Sequence, residues 1–192
     1  KILGELHGLK YPNFGFLEEG ATQYQFSSWK DYIFDQIKSA YYALKNQQII
    51  PDNLLDECFN FVQRFLPVIS EDSAVLLHMD INDTNILFQK TSIGWHLSGI
   101  IDWEWSKSGS ARFELADIPE DLFGDNPDAI QAFYEGYPKK MPFGKDWEIE
   151  RAIYTIMNKL NTVAFGYYYH NPSQEGFNWI IQYLKTILRK FN

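Results

Sequence analysis

An aspartate and an asparagine stand five residues apart in Leu76-Leu77-His78-Met79-Asp80-Ile81-Asn82-Asp83-Thr84-Asn85-Ile86-Leu87-Phe88. Apolar flanks anchor both ends of this polar loop, so Asp80 and Asn85 can face one site. A carboxylate so placed can accept a hydroxyl proton, and a carboxamide can give a neutral oxygen to a hard cation. Farther along, the apolar run Gly99-Ile100-Ile101 ends abruptly in Asp102. An acid at a strand end can hold Mg²⁺, which takes one or two protein oxygens and fills its shell with phosphates and water. Together these residues are suited to phosphoryl transfer.

Plainer roles compete for each of them. Asp80 and Asn85 can simply close a turn, Asp102 can be a turn residue before Trp103, and His78 between apolar neighbours can be a hydrogen-bonded core histidine. Tyr167-Tyr168-Tyr169-His170 reads as packing at a helix end rather than a stacking platform.

The surrounding pattern must position these groups. Trp29, Ile33, Ile37, Ala40 and Leu44 have the spacing of one helical face, with Ser27 and Ser28 placed to cap it. Pro51-Asp52 opens a second helix, whose buried stripe is Leu54, Leu55, Cys58, Phe61, Val62, Phe65 and Leu66 until Pro67. These two helices are expected to pack together. Short apolar stretches follow at 74–77, 86–88 and 95–101, separated by polar turns as strands are. Helical periodicity returns at 127–136, 146–169 and 175–191. The fold class expected is α+β, mostly helical, with a small β-hairpin region carrying the candidate chemistry.

Composition narrows the partners. A net charge of -8 argues against nucleic acid and against an anionic membrane, both of which are bound by basic surfaces. There is no apolar run of about 18 residues and no signal-peptide pattern, so the expected location is the cytoplasm. The one cysteine, Cys58, allows neither a disulfide framework nor a cysteine metal site. Asn82-Asp83-Thr84 matches a glycosylation sequon, but nothing else suggests secretion.

The order His78-x-Asp80-x-x-x-x-Asn85-Ile86-Leu87, a hairpin, then Ile101-Asp102-Trp103 resembles the catalytic loop and metal-binding segment of the aminoglycoside phosphotransferase and choline kinase superfamily, which shares the protein-kinase fold. Leu3-Gly4-Glu5-Leu6-His7 is similar to the helix that enters the larger lobe, and Gly109 to Ala116 to a further family segment. The resemblance spans essentially residues 1–192 and implies a C-terminal catalytic lobe without its N-terminal ATP-binding lobe. It also implies that Asp80 is the catalytic aspartate, that Asn85 and Asp102 hold magnesium, and that His78 supports the loop. Leu87 and Ile101 would floor the adenine of ATP (or the guanine of GTP). Relatives show Gly-Asp-Pro and then Tyr-Asp-Leu-Ala where this chain has Gly109-Ser110-Ala111-Arg112-Phe113-Glu114-Leu115-Ala116; an acid and a proline are gone, and Glu114 replaces an aspartate.

Neither a Gly-x-Gly loop nor a lysine in a Val-Ala-x-Lys setting is present, so the lobe alone is expected to be nearly inactive. Seven acids between Glu104 and Asp128, among them Glu114 and Asp117, face only Lys107 and Arg112 in that segment. If they border the cleft, Glu104 and Asp117 would draw a cationic small molecule bearing a hydroxyl; the alternative is a solvated acidic face. Two other classes remain open: a catalytically silent kinase-like module that binds a ligand or partner, and a hydrolase using Asp80 and Asp102 as paired carboxylates. A lobe without its companion would expose apolar surface, which raises the expectation of self-association.

Overall fold

A computed structural model describes residues 2–17, 25–124, 126–138, 144–170 and 174–191, without the side chains of 117, 119–121, 166–170 and 174. The chain divides into two compact units, one of residues 1–29 with 72–141 and one of residues 30–71 with 142–192.

The second unit is helical: α2 (Trp29–Leu44, entering from the first unit), α3 (Asp52–Phe65), α6 (Lys145–His170) and α7 (Gln174–Phe191). The stripe of α2 is buried as its spacing predicts, from Trp29 through Ile33, Ile37 and Ala40 to Leu44. Helices α2 and α3 pack together as expected, with the Tyr41 ring stacked 4.6 Å from Phe59 and the Tyr41 hydroxyl donating to Asp56 at 2.8 Å. The stripe of α3 is buried from Leu54 to Val62, but Phe65 and Leu66 are only half-buried. Pro67 cannot continue the α-helical ladder, and the chain tightens into a 3₁₀ turn over Leu66–Val68. On α7, Phe177, Ile180, Leu184 and Leu188 form the buried line.

The first unit holds all the candidate chemistry. It comprises α1 (Ile2–Leu6), β1 (Gly15–Phe16), β2 (Val75–Leu77), β3 (Ile86–Thr91), β4 (Gly94–Ile100), β5 (Lys107–Gly109), α4 (Ala111–Phe123) and α5 (Pro127–Gly136). An antiparallel sheet runs in the order β1-β5-β2, and β3 pairs with β4 as a hairpin. Strand β5 was not foreseen because Lys107-Ser108-Gly109 has no apolar alternation; it is held by register, Leu77 opposite Lys107 and Val75 opposite Gly109. At Gly109 a Cβ would lie 2.5 Å from Leu77 Cδ1 and 3.0 Å from the Trp29 ring, so only glycine lets β5 approach this closely.

Periodicity alone also missed α4, whose sequence carries Pro119 in its interior. Its start is chemically marked. Ser110 Oγ accepts from the Arg112 N–H at 3.3 Å, as an N-cap does. Helix α5 starts in the same way, with the Asn126 side chain accepting from Ala129 N–H and Pro127 in the first turn.

Candidate active site

Strand β2 runs directly into the polar loop, and Asn82 organises it. The Asn82 Oδ1 accepts from the backbone N–H groups of Thr84 at 2.9 Å and Asn85 at 3.2 Å, closing an Asx turn. Its amide reaches back to Asp80 Oδ1 at 3.0 Å. Asn85, which is buried, donates from the same nitrogen to Asp80 Oδ2 at 2.7 Å and to the Asp80 carbonyl at 2.9 Å. Both oxygens of Asp80 are thus aimed by neutral amides, and each keeps a further lone pair for another donor. Because the Asn85 nitrogen is committed to Asp80, its Oδ1, which takes one long bond of 3.4 Å from the Thr84 hydroxyl, is the atom with a lone pair to spare for a ligand.

His78 joins the loop to the end of β4. Its ring is fully buried, Nδ1 accepting from the Asp80 N–H at 3.2 Å and Nε2 donating to the Ile101 carbonyl at 2.8 Å. Those partners fix the tautomer with its proton on Nε2. Trp103 seals the ring edge-on at 4.5 Å. The Ile101 N–H in turn donates to the Asn85 carbonyl at 3.0 Å. Asp102, one residue beyond, is exposed and sits at φ 65°, so the backbone itself turns the carboxylate out of the strand direction.

Met79 is also left-handed, at φ 69°, a conformation that costs about 1–3 kcal/mol for a residue with an ordinary side chain. Glu114 holds it there. One carboxylate oxygen of Glu114 accepts from the N–H groups of His78 at 2.7 Å and Met79 at 2.8 Å. Glu114 is only 3% exposed. That corrects the expectation that it belongs to an acidic, substrate-drawing face: the carboxylate points into the protein and anchors the loop from below.

Leu87 and Ile101 share one face of the β3–β4 hairpin, since Leu87 is paired with Gly99 and Ile101 lies two residues beyond Gly99. Both are exposed, at 44% and 45%, and Gly99 between them carries no side chain. Glu104 is exposed on the turn after β4. Asp117 lies on α4, but its side chain is outside the described residues, as are those of Glu120, Asp121 and Tyr167 to His170; Asp125 lies outside altogether.

Among the described residues no three His, Cys, Asp or Glu side chains gather as a metal cluster. The donor set of one exposed carboxylate, Asp102, and one carboxamide oxygen, Asn85, still suits magnesium, which needs few protein oxygens when phosphates complete its shell. No described helix is long and apolar enough to cross a membrane.

Residues 1–148, more than three-quarters of the chain, match the APH phosphotransferase enzyme family. The chain belongs to that family. Among solved structures, the choline kinase LicA from Streptococcus pneumoniae superposes with a TM-score of 0.64 at 18% identity, over 99% of this chain and 61% of LicA. LicA in complex with AMP gives 0.61 at 18% identity, over 100% and 62% of the two chains. A thermostable mutant of aminoglycoside phosphotransferase APH(4)-Ia, bound to AMP-PNP and hygromycin B, gives 0.60 at 16% identity, over 85% and 52%. At these identities the likeness shows the fold, which is protein-kinase-like. The chain spans only about half to three-fifths of the length of these kinases. No curated protein matches it.

Sequence reasoning passed over two residues that build the site. Asn82 was set aside as part of a sequon, although an asparagine two residues before Thr84 and three before Asn85 is placed for an Asx turn. Glu114 was counted with the surface acids, although Phe113, Leu115 and Ala116 around it are all buried. An acid inside an apolar run is itself the signal of an internal partner.

Proposed function

We propose that this chain is the C-terminal catalytic lobe of a small-molecule kinase that transfers a phosphoryl group from ATP to a hydroxyl. The observation that carries this reading is that His78 ties the Asp80 loop to the segment that delivers Asp102. Asp80 is aimed by Asn82 and Asn85, Asp102 is turned out by its backbone, and His78 bonds to both segments. The nucleotides bound by LicA and APH(4)-Ia support ATP as the donor.

In this reading Asp80 orients the acceptor hydroxyl and takes its proton. Asn85 Oδ1 and the Asp102 carboxylate hold magnesium. The ion, when bound, neutralises charge on the phosphates as the bond to the leaving oxygen breaks. Leu87 and Ile101 offer an apolar floor to the base. Glu104 is the described acid placed beyond Asp102 where a cationic acceptor would gain from it. These 192 residues hold neither a Gly-x-Gly phosphate loop nor a lysine in a Val-Ala-x-Lys setting, so in this reading the chain alone turns over very slowly.

Calorimetric titration of Mg-ATP into the chain and into Asp102→Asn tests this. Weak binding that disappears in the variant is the expected result. Equal binding by both would remove Asp102 from the metal site, and heat from neither would mean that this lobe does not capture nucleotide by its own residues.

A further inference from the structure

Behind the loop, Glu114 is one member of a buried polar chain that no step of phosphoryl transfer requires. His7, 1% exposed, donates from Nε2 to the Glu114 oxygen that the loop does not use, at 2.8 Å. On its other side, His7 Nδ1 meets the Tyr137 hydroxyl at 2.7 Å, with the two rings edge-on 5.6 Å apart. Burial, followed by the nearby charges of Glu114 and Asp72, pushes the Tyr137 hydroxyl up to about 12. It therefore stays protonated and donates, which sets the His7 tautomer that gives its proton to Glu114.

The backbone fixes this arrangement independently. A Cβ on Gly4 of α1 would lie 2.1 Å from Pro138 Cγ, so α1 touches the segment that follows Tyr137 at a distance only glycine permits. The His7 N–H donates to the Leu3 carbonyl at 2.8 Å, carrying the helical turn of α1 on to the histidine.

We propose that His7 is a positioning residue for the catalytic loop, acting through Glu114, with Tyr137 and the Gly4–Pro138 contact holding its ring in place. This rests on the reading of the Asp80 loop as catalytic. A glutamate side chain has several rotatable bonds, and a carboxylate with one oxygen unengaged can swing about them. His7 pins the second oxygen, so the first is held where the N–H groups of His78 and Met79 converge. Met79, left-handed and non-glycine, has no conformational preference for its own backbone angle and depends on that anchor. The first helix thus sets the aim of Asp80 without touching it.

Native-state amide exchange on the chain tests the idea without any turnover. His7→Leu is expected to lower protection at the His78 and Met79 amides at least tenfold, while amides of α3 in the other unit keep theirs. His7→Gln, whose amide can still donate to Glu114, is expected to restore most of it. Gly4→Ala should reproduce the loss more weakly, by parting α1 from Pro138. Affinity for Mn²⁺ alone, followed by water-proton relaxation, should fall in His7→Leu and recover in His7→Gln.

A uniform loss of protection across the chain would make His7 a stability residue only, and unchanged protection at His78 and Met79 would overturn the proposal. If His7→Leu does not fold, Gly4→Ala and Tyr137→Phe decide by the same amides. Should the parent fail to bind Mn²⁺, the metal reading fails by itself, and the exchange result still judges the positioning role.

Discussion

The loop at 78–85 and the hairpin that follows it are neighbours in sequence and opposites in construction. In the loop, polar groups are buried and paired: His78, Asn85 and, beneath them, Glu114. In the hairpin, apolar groups are exposed: Phe88 at 59%, Trp95 at 67% and Ile93 at 85%. Alternation places Phe88 and Lys90 on one face with Trp95, whose ring lies 5.9 Å from the Lys90 ammonium, and Leu87 with Ile101 on the other. A satisfied buried hydrogen-bond network makes its atoms rigid, whereas an exposed apolar face fixes nothing and only offers area. Geometry is therefore stored in the loop, and the hairpin provides surface.

Glu114→Ala should separate the two most widely. It leaves the N–H groups of His78 and Met79 and the His7 donor buried without an acceptor, and we expect a loss of about 3 kcal/mol or more. Urea unfolding measures it. A loss under about 1 kcal/mol would mean that water replaces the carboxylate and that the loop is not anchored from below.

On the hairpin the same kind of insult should act on ligands rather than on folding. Leu87→Asp puts a charge on an already exposed face, so the unfolding midpoint should stay close to the parent's. Mg-ATP affinity, read by the titration above, should fall about tenfold, equivalent to about 1.4 kcal/mol, if Leu87 floors the base. Unchanged affinity would detach the adenine from this face.

Lys107 cuts across the division, as a half-buried cation of the sheet beside the loop. Its ammonium lies 5.0 Å from the Phe16 ring, yet burial lowers it from 10.5 to about 8. Desolvation outweighs the attraction of the ring. Between about pH 8 and 10.5 the unfolded chain holds a proton on this residue that the folded chain has lost. Stability from this group therefore rises as pH increases through that window. Lys107→Met should remove that rise, seen as melting temperatures compared across the same pH range; a persistent rise would assign it to another group.

The contrast also explains which parts of the molecule could be read in advance. Helix α2 was legible because every fourth or third residue is apolar and each is buried. The hairpin was legible from its apolar stretches, and Asp80, Asn85 and Asp102 stood out as polar residues between apolar flanks. Strand β5 and helix α4 were not legible from periodicity, because one owes its place to the pairing of two partners and a glycine, and the other passes through a proline. Glu114 and His7 were misread or left unassigned for a related reason. They are 107 residues apart, and nothing local in either segment says that they meet.

The smallest effect expected is also the one most sensitive to the comparison. Phe88→Ser removes a large aromatic side chain, which from a packed core would cost about 3 kcal/mol or more. On the hairpin, where the ring is more than half exposed, the unfolded and folded states solvate it similarly, and the change should stay within about 0.5 kcal/mol. A urea midpoint that moves by the core amount would show that the ring is covered in solution. The hairpin would then be a packed element like the loop, and the distinction between a region that stores geometry and one that offers surface would fail at the residue where it is easiest to see.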